Sequence, residues 1–280
     1  MPSTFDFTTT SNQTAVDFLA EKTGLPKARI KDAMNKGACW WTVKGKQLRL
    51  RRASKDLPIG TRIQLHYDEQ VLARTPSAGQ LMLDQGRYSI WYKPHGLLAQ
   101  GSQWGDHCSL LRLVEIELKR ECFLVHRLDA DAAGLMMIAH DSKAAALLSQ
   151  LFQSRDLKKY YLAQVTGQLN AQELRIDQAL DGKESVSIVN TLKIDVQHAS
   201  TLVEVLIETG RKHQIRRHLS GIGHAIIGDR LYGKASKIPL QLLAYKLEFR
   251  CPIRKQLIQI ELPKDLHLQP ETTNEKKTLS

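Results

Sequence analysis

The spacing of apolar residues in the first quarter of the chain predicts two short helices followed by short strands. Val16 and Leu19 have helical spacing, and this first helix ends at Gly24. A second helix begins at Pro26. Residues 1–12 are rich in Thr, Ser and Asn, and this composition predicts a loose terminus. Strands are then predicted in ACWWTV, in QLRLRR and at the alternating Ile63, Leu65 and Tyr67.

The rest of the chain combines strands of alternating polarity with fewer helices. Asp141 or Ser142 begins a helix with one apolar stripe, and a further helix contains Ile215. Since helices and strands do not alternate strictly, the pattern favours an α+β fold with a mixed or antiparallel sheet over a doubly wound parallel sheet. The predicted strands are RYSIWY at 87–92, LMMIA at 135–139, KYYLAQV at 159–165, VNTLKIDV at 189–196 and TLVEVLIE at 201–208.

Changes in composition along the chain predict four segments. Residues 1–75 form a small α/β module, and residues 76–86, which contain Pro, Ser and Gly, form a linker. A larger α+β domain follows over 87–265, and a polar tail over 266–280. A hydrophobic content of 42% is enough for a buried core.

The charge of the chain favours a polyanionic partner. Forty Lys and Arg against 29 acidic residues leave a net charge of +11, and residues 1–75 hold seven Lys and six Arg against seven acids. Nucleic acid is the favoured partner, and an anionic membrane surface is the second choice. Lys27, Arg29 and Lys31 on the second helix suit contacts with RNA, while a merely solvated charged face is the alternative.

Several classes of protein are disfavoured by what the sequence lacks. No segment approaches the about 18–20 consecutive apolar residues of a membrane span, and the first residues lack the pattern of a signal peptide, so we expect a cytoplasmic protein with no membrane partner. The four cysteines lie far apart with no CxxC pair, which argues against a zinc ribbon or a redox motif.

The segment HRLDADAAG, residues 126–134, places the carboxylate of Asp129 in a short loop between predicted strands. The small residues after it allow a ligand to approach the backbone, and Arg127 before it can stack on a base. Asp129 is therefore a candidate nucleophile or base, with a helix cap or a surface charge as the alternative. No second acid has the spacing of a glycosidase pair, and Asp131 lies only two residues away.

A second cluster, GRKHQIRRHLSGIGHAIIGDRLYG at residues 210–233, crowds basic side chains around one helix. This composition favours binding of an anion, which in a polynucleotide is phosphate. A metal site would use His213, His218, His224 and Asp229. We do not favour it, because the first two histidines lie on different helical faces and the surrounding cations repel a divalent ion.

Ordered motifs between about residues 87 and 252 resemble those of the RluA family of pseudouridine synthases. They are KPHGL, HRLDADAAG, the Lys159, Tyr161 and Ala163 pattern, GRKHQIRRHL, GHAIIGDRLYG and LAYKLEFRCP. Residues 1–75 resemble the S4 RNA-binding module, although CWWTVKGK stands where that module usually has a valine-rich turn with an Asn. The resemblance implies an isomerase with the pseudouridine synthase fold that converts uridine in RNA to pseudouridine without cofactor or metal.

The resemblance also implies roles for the matching residues. Asp129 is the catalytic carboxylate, which attacks the sugar or the ring, and Arg127 fills the space that the flipped base leaves. Tyr161 stacks on that base and assists proton removal from C5. Arg216 pairs with Asp129 and keeps it ionised. The substrate-binding residues are Lys93, His126, Arg211, Lys212 and His213.

The sequence departs from the family pattern at two places. Ala132 and Ala133 replace the common Thr-Ser, which removes two hydroxyls that can order the loop. Lys212 and Arg217 turn the usual GRTHQIRVH into GRKHQIRRH and add two positive charges. Since these changes spare Asp129, we expect activity.

The S4-like module points to a large structured RNA as the target. We therefore favour ribosomal RNA of the large subunit over transfer RNA, and we expect a monomer. The alternatives are a synthase that acts on transfer RNA, and an RNA-binding or ribosome-assembly factor with a degenerate active site.

Overall fold

The chain folds into two compact units. The N-terminal unit is built from two separate stretches, Met1–Gly79 and Leu97–Cys122, and the C-terminal unit from Gln80–Gly96 and Phe123–Ser280. These units are defined by packing, and the predicted division into a module, a linker and a catalytic domain stays a prediction. The computed structural model describes residues 2–154, 156–234 and 236–268, so the predicted polar tail lies outside the described residues from 269 onward.

The N-terminal unit packs helices against a small antiparallel sheet. Its elements are β1 (Ser3–Thr8), β2 (Gln13–Thr14), α1 (Ala15–Thr23), α2 (Lys27–Asn35), β3 (Cys39–Val43), β4 (Lys46–Arg49), β5 (Asp56–Leu57), β6 (Arg62–Tyr67), α3 (Glu69–Leu72) and α4 (Leu110–Leu118). The four-stranded sheet has the order β1-β6-β3-β4, and β2 pairs with β5. The two predicted helices are confirmed as α1 and α2.

Local sequence explains where α1 begins and ends. The side chain of Thr14 accepts a hydrogen bond from the backbone N–H of Asp17, and Gly24 ends the helix with a φ of 71°. Phe18 of α1 and Ile30 of α2 are fully buried and belong to one apolar core. The helices are therefore held by packing on the sheet as well as by their caps.

The prediction of a loose N-terminus is wrong. Residues 3–8 form β1, which pairs with β6 from Ser3 to Thr8. Phe5 and Phe7 are more buried than their neighbours and pack against the core of the unit. Their alternation with polar residues is a strand pattern that the Thr-rich composition obscured.

The C-terminal unit is built on a ten-stranded sheet with the order β12-β13-β14-β11-β15-β10-β8-β7, in which β16 also pairs with β15 and β9 with β10. Its elements are β7 (Gln80–Asp84), β8 (Tyr88–Lys93), β9 (Phe123–Leu124), β10 (Ala133–Ala139), α5 (Ser142–Gln153), β11 (Lys158–Thr166), β12 (Leu174–Ile176), β13 (Ser187–Asp195), β14 (Ser200–Ile207), α6 (Gln214–Gly221), β15 (Leu242–Arg250) and β16 (Leu257–Glu261), followed by a 3₁₀ turn at Lys264–Leu266. The β10–β15 pair is parallel and the other pairs are antiparallel. The predicted mixed, mainly antiparallel sheet is confirmed.

The two longer helices of this unit cover opposite faces of the sheet. Leu148 of α5 packs in one core with Leu162 of β11, and Ile215 of α6 packs in another core with Ala163, the next residue of the same strand. Because side chains alternate across a strand, these cores lie on different faces. Tyr161 contacts the α6 core, so it shares a face of the sheet with the helix that carries Arg216.

Within the described ranges, no helix is both long enough and apolar enough to cross a bilayer. The longest one, α5, has 12 residues, whereas a transmembrane helix needs about 20.

Candidate active site

The loop between β9 and β10 carries Asp129 and is held by a buried lysine. Lys93, at the end of β8, donates from Nζ to the carbonyl oxygens of Ala132 at 2.6 Å and of Ala130 at 3.4 Å. Burial lowers the pKa of Lys93 to about 8, although the carboxylates of Asp129 and Asp131 oppose that shift. These contacts support a structural role for Lys93, and its predicted contact with phosphate stays a prediction.

The same loop has further hydrogen bonds along its backbone. Nδ1 of His95 lies 2.7 Å from the carbonyl oxygen of Asp131, and the N–H of Ala132 donates to the carbonyl oxygen of Asp129 at 3.1 Å. Ala132 and Ala133 are buried among apolar side chains. Hydrogen bonds to its backbone carbonyl groups therefore order the loop, although Ala132 and Ala133 have no hydroxyl groups.

Gly134 lets the loop enter the sheet beside β15. Its φ is +130°, and a Cβ placed on it would lie 2.3 Å from the carbonyl oxygen of Ala244. Gly134 pairs with Ala244 in the parallel β10–β15 ladder. Only a residue without a side chain fits this backbone conformation and this close approach.

Two carboxylates share the guanidinium group of Arg216 on α6. Asp229 accepts hydrogen bonds from Nε and Nη2 of Arg216, each at 2.7 Å, and both side chains are buried. Oδ2 of Asp129 lies 3.4 Å from Nη1 of the same arginine. The side chain of Asp129 is 33% exposed, so it is the member of this trio that a ligand can reach.

Burial and pairing act in opposite directions on this trio. Burial disfavours the charged form of Arg216, but the hydrogen bonds and the charge of Asp229, with a smaller contribution from Asp129, raise its pKa above the ordinary value. Burial likewise opposes ionisation of Asp229. The hydrogen bonds from Arg216 and from the N–H groups of Leu231 and Tyr232 nevertheless lower the pKa of Asp229. The buried pair is therefore ionised at neutral pH.

Tyr232 lies beside the buried guanidinium group of Arg216, and His213 lies beside Tyr232 and Asp129. The hydroxyl of Tyr232 lies 3.0 Å from Nδ1 of His213, and the ring of Tyr232 lies 5.3 Å from Cζ of Arg216. Nε2 of His213 is 3.7 Å from Oδ2 of Asp129. Burial lowers the pKa of His213, with the charge of Asp129 opposing, so the ring is neutral at neutral pH.

Tyr161 lies on β11 on the same face of the sheet as α6. Burial, with the negative charge of Asp129 as a second cause, raises the pKa of Tyr161 well above its ordinary value. The phenol is therefore protonated throughout the physiological range. Tyr160, on the opposite face, packs in the α5 core, as the period of the strand predicted.

The two residues at the start of the HRLD segment have different environments. The ring of His126 stacks on Phe152 at 3.9 Å, and its Nε2 accepts a hydrogen bond from the N–H of Met137 at 2.9 Å. Burial lowers the pKa of His126 to about 3. These contacts support a structural role for His126, whereas the side chain of Arg127 is exposed. Substrate contacts of both residues stay predictions.

The other predicted substrate contacts in the C-terminal unit lie at the start of α6. Arg211 is exposed and donates from Nε to the carbonyl oxygen of Glu184 at 2.9 Å, and Lys212 is exposed. His213 is the N-cap residue of α6, with a φ of 53°. These residues therefore lie next to the helix that carries Arg216.

The predicted RNA contacts of the N-terminal unit are exposed on α2. Nζ of Lys27 lies 2.7 Å from a carboxylate oxygen of Asp17, and Nη1 of Arg29 lies 2.8 Å from one of Glu69. Lys31 is exposed as well. Exposed pairs of this kind are weak, so a polyanion can compete for both cations.

Sequence reasoning missed the buried partner of Arg216. Asp229 was considered only as a ligand in the metal hypothesis, and Tyr232 was not considered. The available signal was their place in the motif GHAIIGDRLYG, which lies close after GRKHQIRRHL. Among the described residues, no group of three or more His, Cys, Asp or Glu is arranged to hold a metal ion.

Comparison with known proteins identifies the family. A family model described as RNA pseudouridylate synthase matches residues 87–221. The chain is also 32% identical over 201 residues to the dual-specificity RNA pseudouridine synthase RluA of Vibrio parahaemolyticus, which covers 64% of this chain and 80% of that protein. The chain belongs to the RluA family of RNA pseudouridine synthases. This RluA-family enzyme is therefore an isomerase that converts uridine in RNA to pseudouridine.

Further relatives of this pseudouridine synthase agree with that assignment. Ribosomal large subunit pseudouridine synthase D of Nitrosomonas europaea is 30% identical over 211 residues, covering 66% of this chain and 61% of that protein. The structure of human RNA pseudouridylate synthase domain containing 1 aligns with a TM-score of 0.58 at 19% identity, covering 68% of this chain and 86% of that one. The expected pseudouridine synthase fold is confirmed.

Proposed function

We propose that this pseudouridine synthase modifies uridines in ribosomal RNA of the large subunit and that Asp129 is its catalytic carboxylate. The observation that carries the role of Asp129 is its position as the accessible acid beside the buried Arg216–Asp229 pair. A carboxylate at this position can attack a uridine that has been flipped out of its helix, at the sugar carbon or at the ring.

The surrounding side chains suit the remaining steps of the isomerisation. Nη1 of Arg216, 3.4 Å from Oδ2 of Asp129, is placed to orient the carboxylate. Tyr161 offers its ring for stacking on the base. After the new bond from C5 to the sugar has formed, its hydroxyl can accept the C5 proton while it passes its own proton to a base, for which the carboxylate of Asp129, released at that point, is the candidate. Arg127, exposed on the loop that holds Asp129, can fill the space vacated in the RNA helix.

Exchange of Asp129 for Asn tests the catalytic role. Asp129→Asn keeps the shape of the side chain but removes its charge, so we expect pseudouridine formation to fall below detection while RNA binding is retained. The matched control is Asp131→Asn, because Asp131 lies in the same loop, is exposed and pairs with Arg230 at 3.1 Å. We expect the control to keep activity within about tenfold, since an exposed pair is worth about 1 kcal/mol or less. Normal turnover by Asp129→Asn would refute the proposal.

The choice of ribosomal RNA rests on the basic N-terminal unit, which we propose to be an S4-like RNA-binding module, and on likeness to a large-subunit synthase. The test is to map pseudouridines in total RNA from cells with and without this protein. We expect sites in large-subunit ribosomal RNA to disappear. Loss of sites in transfer RNA alone would refute the target, and loss of none would favour the degenerate factor.

A further inference from the structure

Tyr232 and His213 form a hydrogen-bonded pair beside the carboxylate of Asp129. The hydroxyl of Tyr232 lies 3.0 Å from Nδ1 of His213, and the two rings meet edge to face with their centroids 5.7 Å apart. Nε2, the second nitrogen of the histidine ring, lies 3.7 Å from Oδ2 of Asp129. The imidazole therefore bridges the tyrosine hydroxyl and the carboxylate.

Backbone contacts hold both members of this pair. The N–H of Tyr232 donates to Oδ1 of Asp229 at 3.1 Å, and its carbonyl oxygen accepts from the hydroxyl of Ser220 at 2.7 Å. The carbonyl oxygen of His213 accepts from the N–H of Arg217 at 2.9 Å in the first turn of α6. Because the backbone is hydrogen-bonded on both sides, the two side chains are held in contact.

The contacts of the two ring nitrogens determine where the hydrogen of the neutral imidazole lies. Burial lowers the pKa of His213, so at neutral pH one ring nitrogen carries a hydrogen and the other is an acceptor. An ionised carboxylate can only accept, so Nε2 beside Asp129 is the nitrogen that carries the hydrogen. Nδ1 is then the acceptor, and the hydroxyl of Tyr232 donates to it.

Two N–H groups lie beside the same oxygen of Asp129. Nη1 of Arg216 is 3.4 Å from Oδ2, the atom that Nε2 of His213 also approaches. At 3.7 Å the imidazole is too far for a direct hydrogen bond, but such contacts are often long in an unliganded active site and shorten with substrate. Within the described residues, Oδ1 of Asp129 accepts no hydrogen bond, so it is the oxygen that is free to react.

We infer that His213 and Tyr232 are positioning residues for the catalytic carboxylate of Asp129. The Nε2–H group of His213 holds Oδ2 together with Arg216, and the hydroxyl of Tyr232 keeps the imidazole turned so that this group faces the carboxylate. Oδ1 is then the oxygen that attacks the uridine. The inference rests on the proposed function in that it takes Asp129 as the catalytic carboxylate, and it gives His213 a role other than contact with the RNA.

Exchange of Tyr232 for Phe tests the positioning role. Tyr232→Phe keeps the ring beside Arg216 and removes only the hydroxyl. The substrate is total RNA from cells that lack this protein, and pseudouridine formation is followed with the full-length enzyme in excess. We expect the maximal rate to fall about five- to tenfold, the size of one hydrogen bond. The enzyme concentration that gives half of this rate should stay within about twofold, because binding of RNA is not affected.

The matched control for the lost hydroxyl is Tyr160→Phe. The hydroxyl of Tyr160 lies 3.4 Å from a carboxylate oxygen of Glu248, on the face of the sheet opposite Tyr161. We expect this variant to keep both the maximal rate and the half-saturating concentration. A loss of rate in Tyr232→Phe but not in Tyr160→Phe therefore reports the contact with His213.

Two exchanges at His213 separate the contacts of its ring nitrogens. His213→Gln offers an amide N–H near the place of Nε2, whereas His213→Asn offers one only near the place of Nδ1. Asn adopts the φ of 53° at this position readily, so the backbone favours His213→Asn. We nevertheless expect His213→Gln to have the higher maximal rate, by about threefold or more, because it keeps a donor for Asp129.

Ring nitrogen resonances of the free protein report the position of the hydrogen without any turnover. Long-range proton–nitrogen spectra of the histidine-labelled wild type distinguish Nε2–H from Nδ1–H, and the signal that is missing in His213→Asn belongs to His213. At neutral pH we expect the hydrogen on Nε2. A hydrogen on Nδ1 would overturn the inference.

The kinetic results can overturn the inference as well. An unchanged maximal rate in Tyr232→Phe would do so, as would a loss confined to the half-saturating concentration, which would show that the pair contacts RNA. A higher rate in His213→Asn than in His213→Gln would also contradict it. Failure of the proposed catalytic role would instead appear as turnover by Asp129→Asn, so the two failures are distinguishable.

Discussion

Exchange of Asp229 for Asn should destabilise the protein far more than the same exchange at Asp181. Both acids pair with neighbouring arginines of α6, Asp229 with Arg216 and Asp181 with Arg217. The side chain of Asp229 is fully buried, whereas that of Asp181 is 69% exposed. The two variants therefore compare the loss of a buried charge with the loss of an exposed one on the same helix.

The structure sets the expected size of the difference. Removal of one partner of a buried ion pair costs about 3–5 kcal/mol of unfolding free energy, while an exposed pair is worth about 0–1 kcal/mol. Asn keeps one acceptor for Arg216, and Asp129 remains 3.4 Å from Nη1, so we expect the lower value, about 3 kcal/mol, for Asp229→Asn. This corresponds to a fall in Tm of about 6–12 °C in a unit of this size.

Urea and thermal unfolding followed by circular dichroism measure this difference. Since the pKa of Asp229 is lowered in the folded state, its contribution is complete above the unfolded-state pKa near 4 and disappears as the pH falls through the lowered value. The gap between wild type and Asp229→Asn should therefore be constant from about pH 5 to pH 7 and narrow in stronger acid. Equal destabilisation by Asp229→Asn and Asp181→Asn, or a gap that widens in acid, would refute the reasoning.

Three further predictions concern the loop and strand around Asp129. Tyr161→Phe should retain RNA affinity and lower kcat by about 10²-fold or more. Because the pKa of Tyr161 is raised, single-turnover rates of the wild type should show no titration near pH 10, and a titration there would contradict this prediction. Gly134→Ala should lower Tm strongly, because the added Cβ would meet the backbone of Ala244. The control is Gly60→Ala, which has open space at a φ of +83° and should lower the free energy of unfolding by about 1 kcal/mol. Equal destabilisation by the two variants would contradict this prediction. The stability of the wild type relative to Lys93→Met should increase from about pH 8 to pH 10, because the unfolded chain binds the proton of this lysine more tightly than the folded chain does. Urea unfolding at several pH values measures this difference in stability, and a difference that does not change with pH would contradict the prediction.

Much of the fold was predictable from local patterns. The alternation in KYYLAQV predicted a strand and put Tyr160 and Tyr161 on opposite faces, as β11 does. The helix predicted from Asp141 or Ser142 is α5, which Asp141 caps through the N–H of Ala144. These features depend on side-chain period and on residues adjacent in sequence, which a single sequence displays directly.

The rest depended on contacts that join distant parts of the chain. The hydrogen bonds from Arg216 to Asp229 require the segment after α6 to fold back on the helix, and no local pattern indicates that it does. Asp129 and Arg216 are 87 positions apart in the sequence, so their contact also has no local signal, and only the resemblance to a family suggested it. Side-chain type therefore suggested which residues carry chemistry, while the tertiary fold decided which of them meet.

The polypeptide crosses between its two units three times, after Gly79, after Gly96 and after Cys122. Residues 97–122 pack against residues far upstream in the N-terminal unit. Asp106 forms ion pairs with both Arg49 and Arg51, and Trp40 donates to the carbonyl oxygen of Gln103 at 3.1 Å.

No single cut therefore separates the N-terminal unit, which we propose to bind RNA, from the C-terminal unit, which holds Asp129. A shortened chain that began at residue 76 would leave the buried carboxylate of Asp106 without either arginine. A loss of activity in that chain could therefore come from misfolding of the remaining residues as well as from the missing N-terminal residues. Substitutions on the exposed side of α2 are the better way to separate the proposed RNA binding from catalysis, because they leave all three connections between the units unchanged.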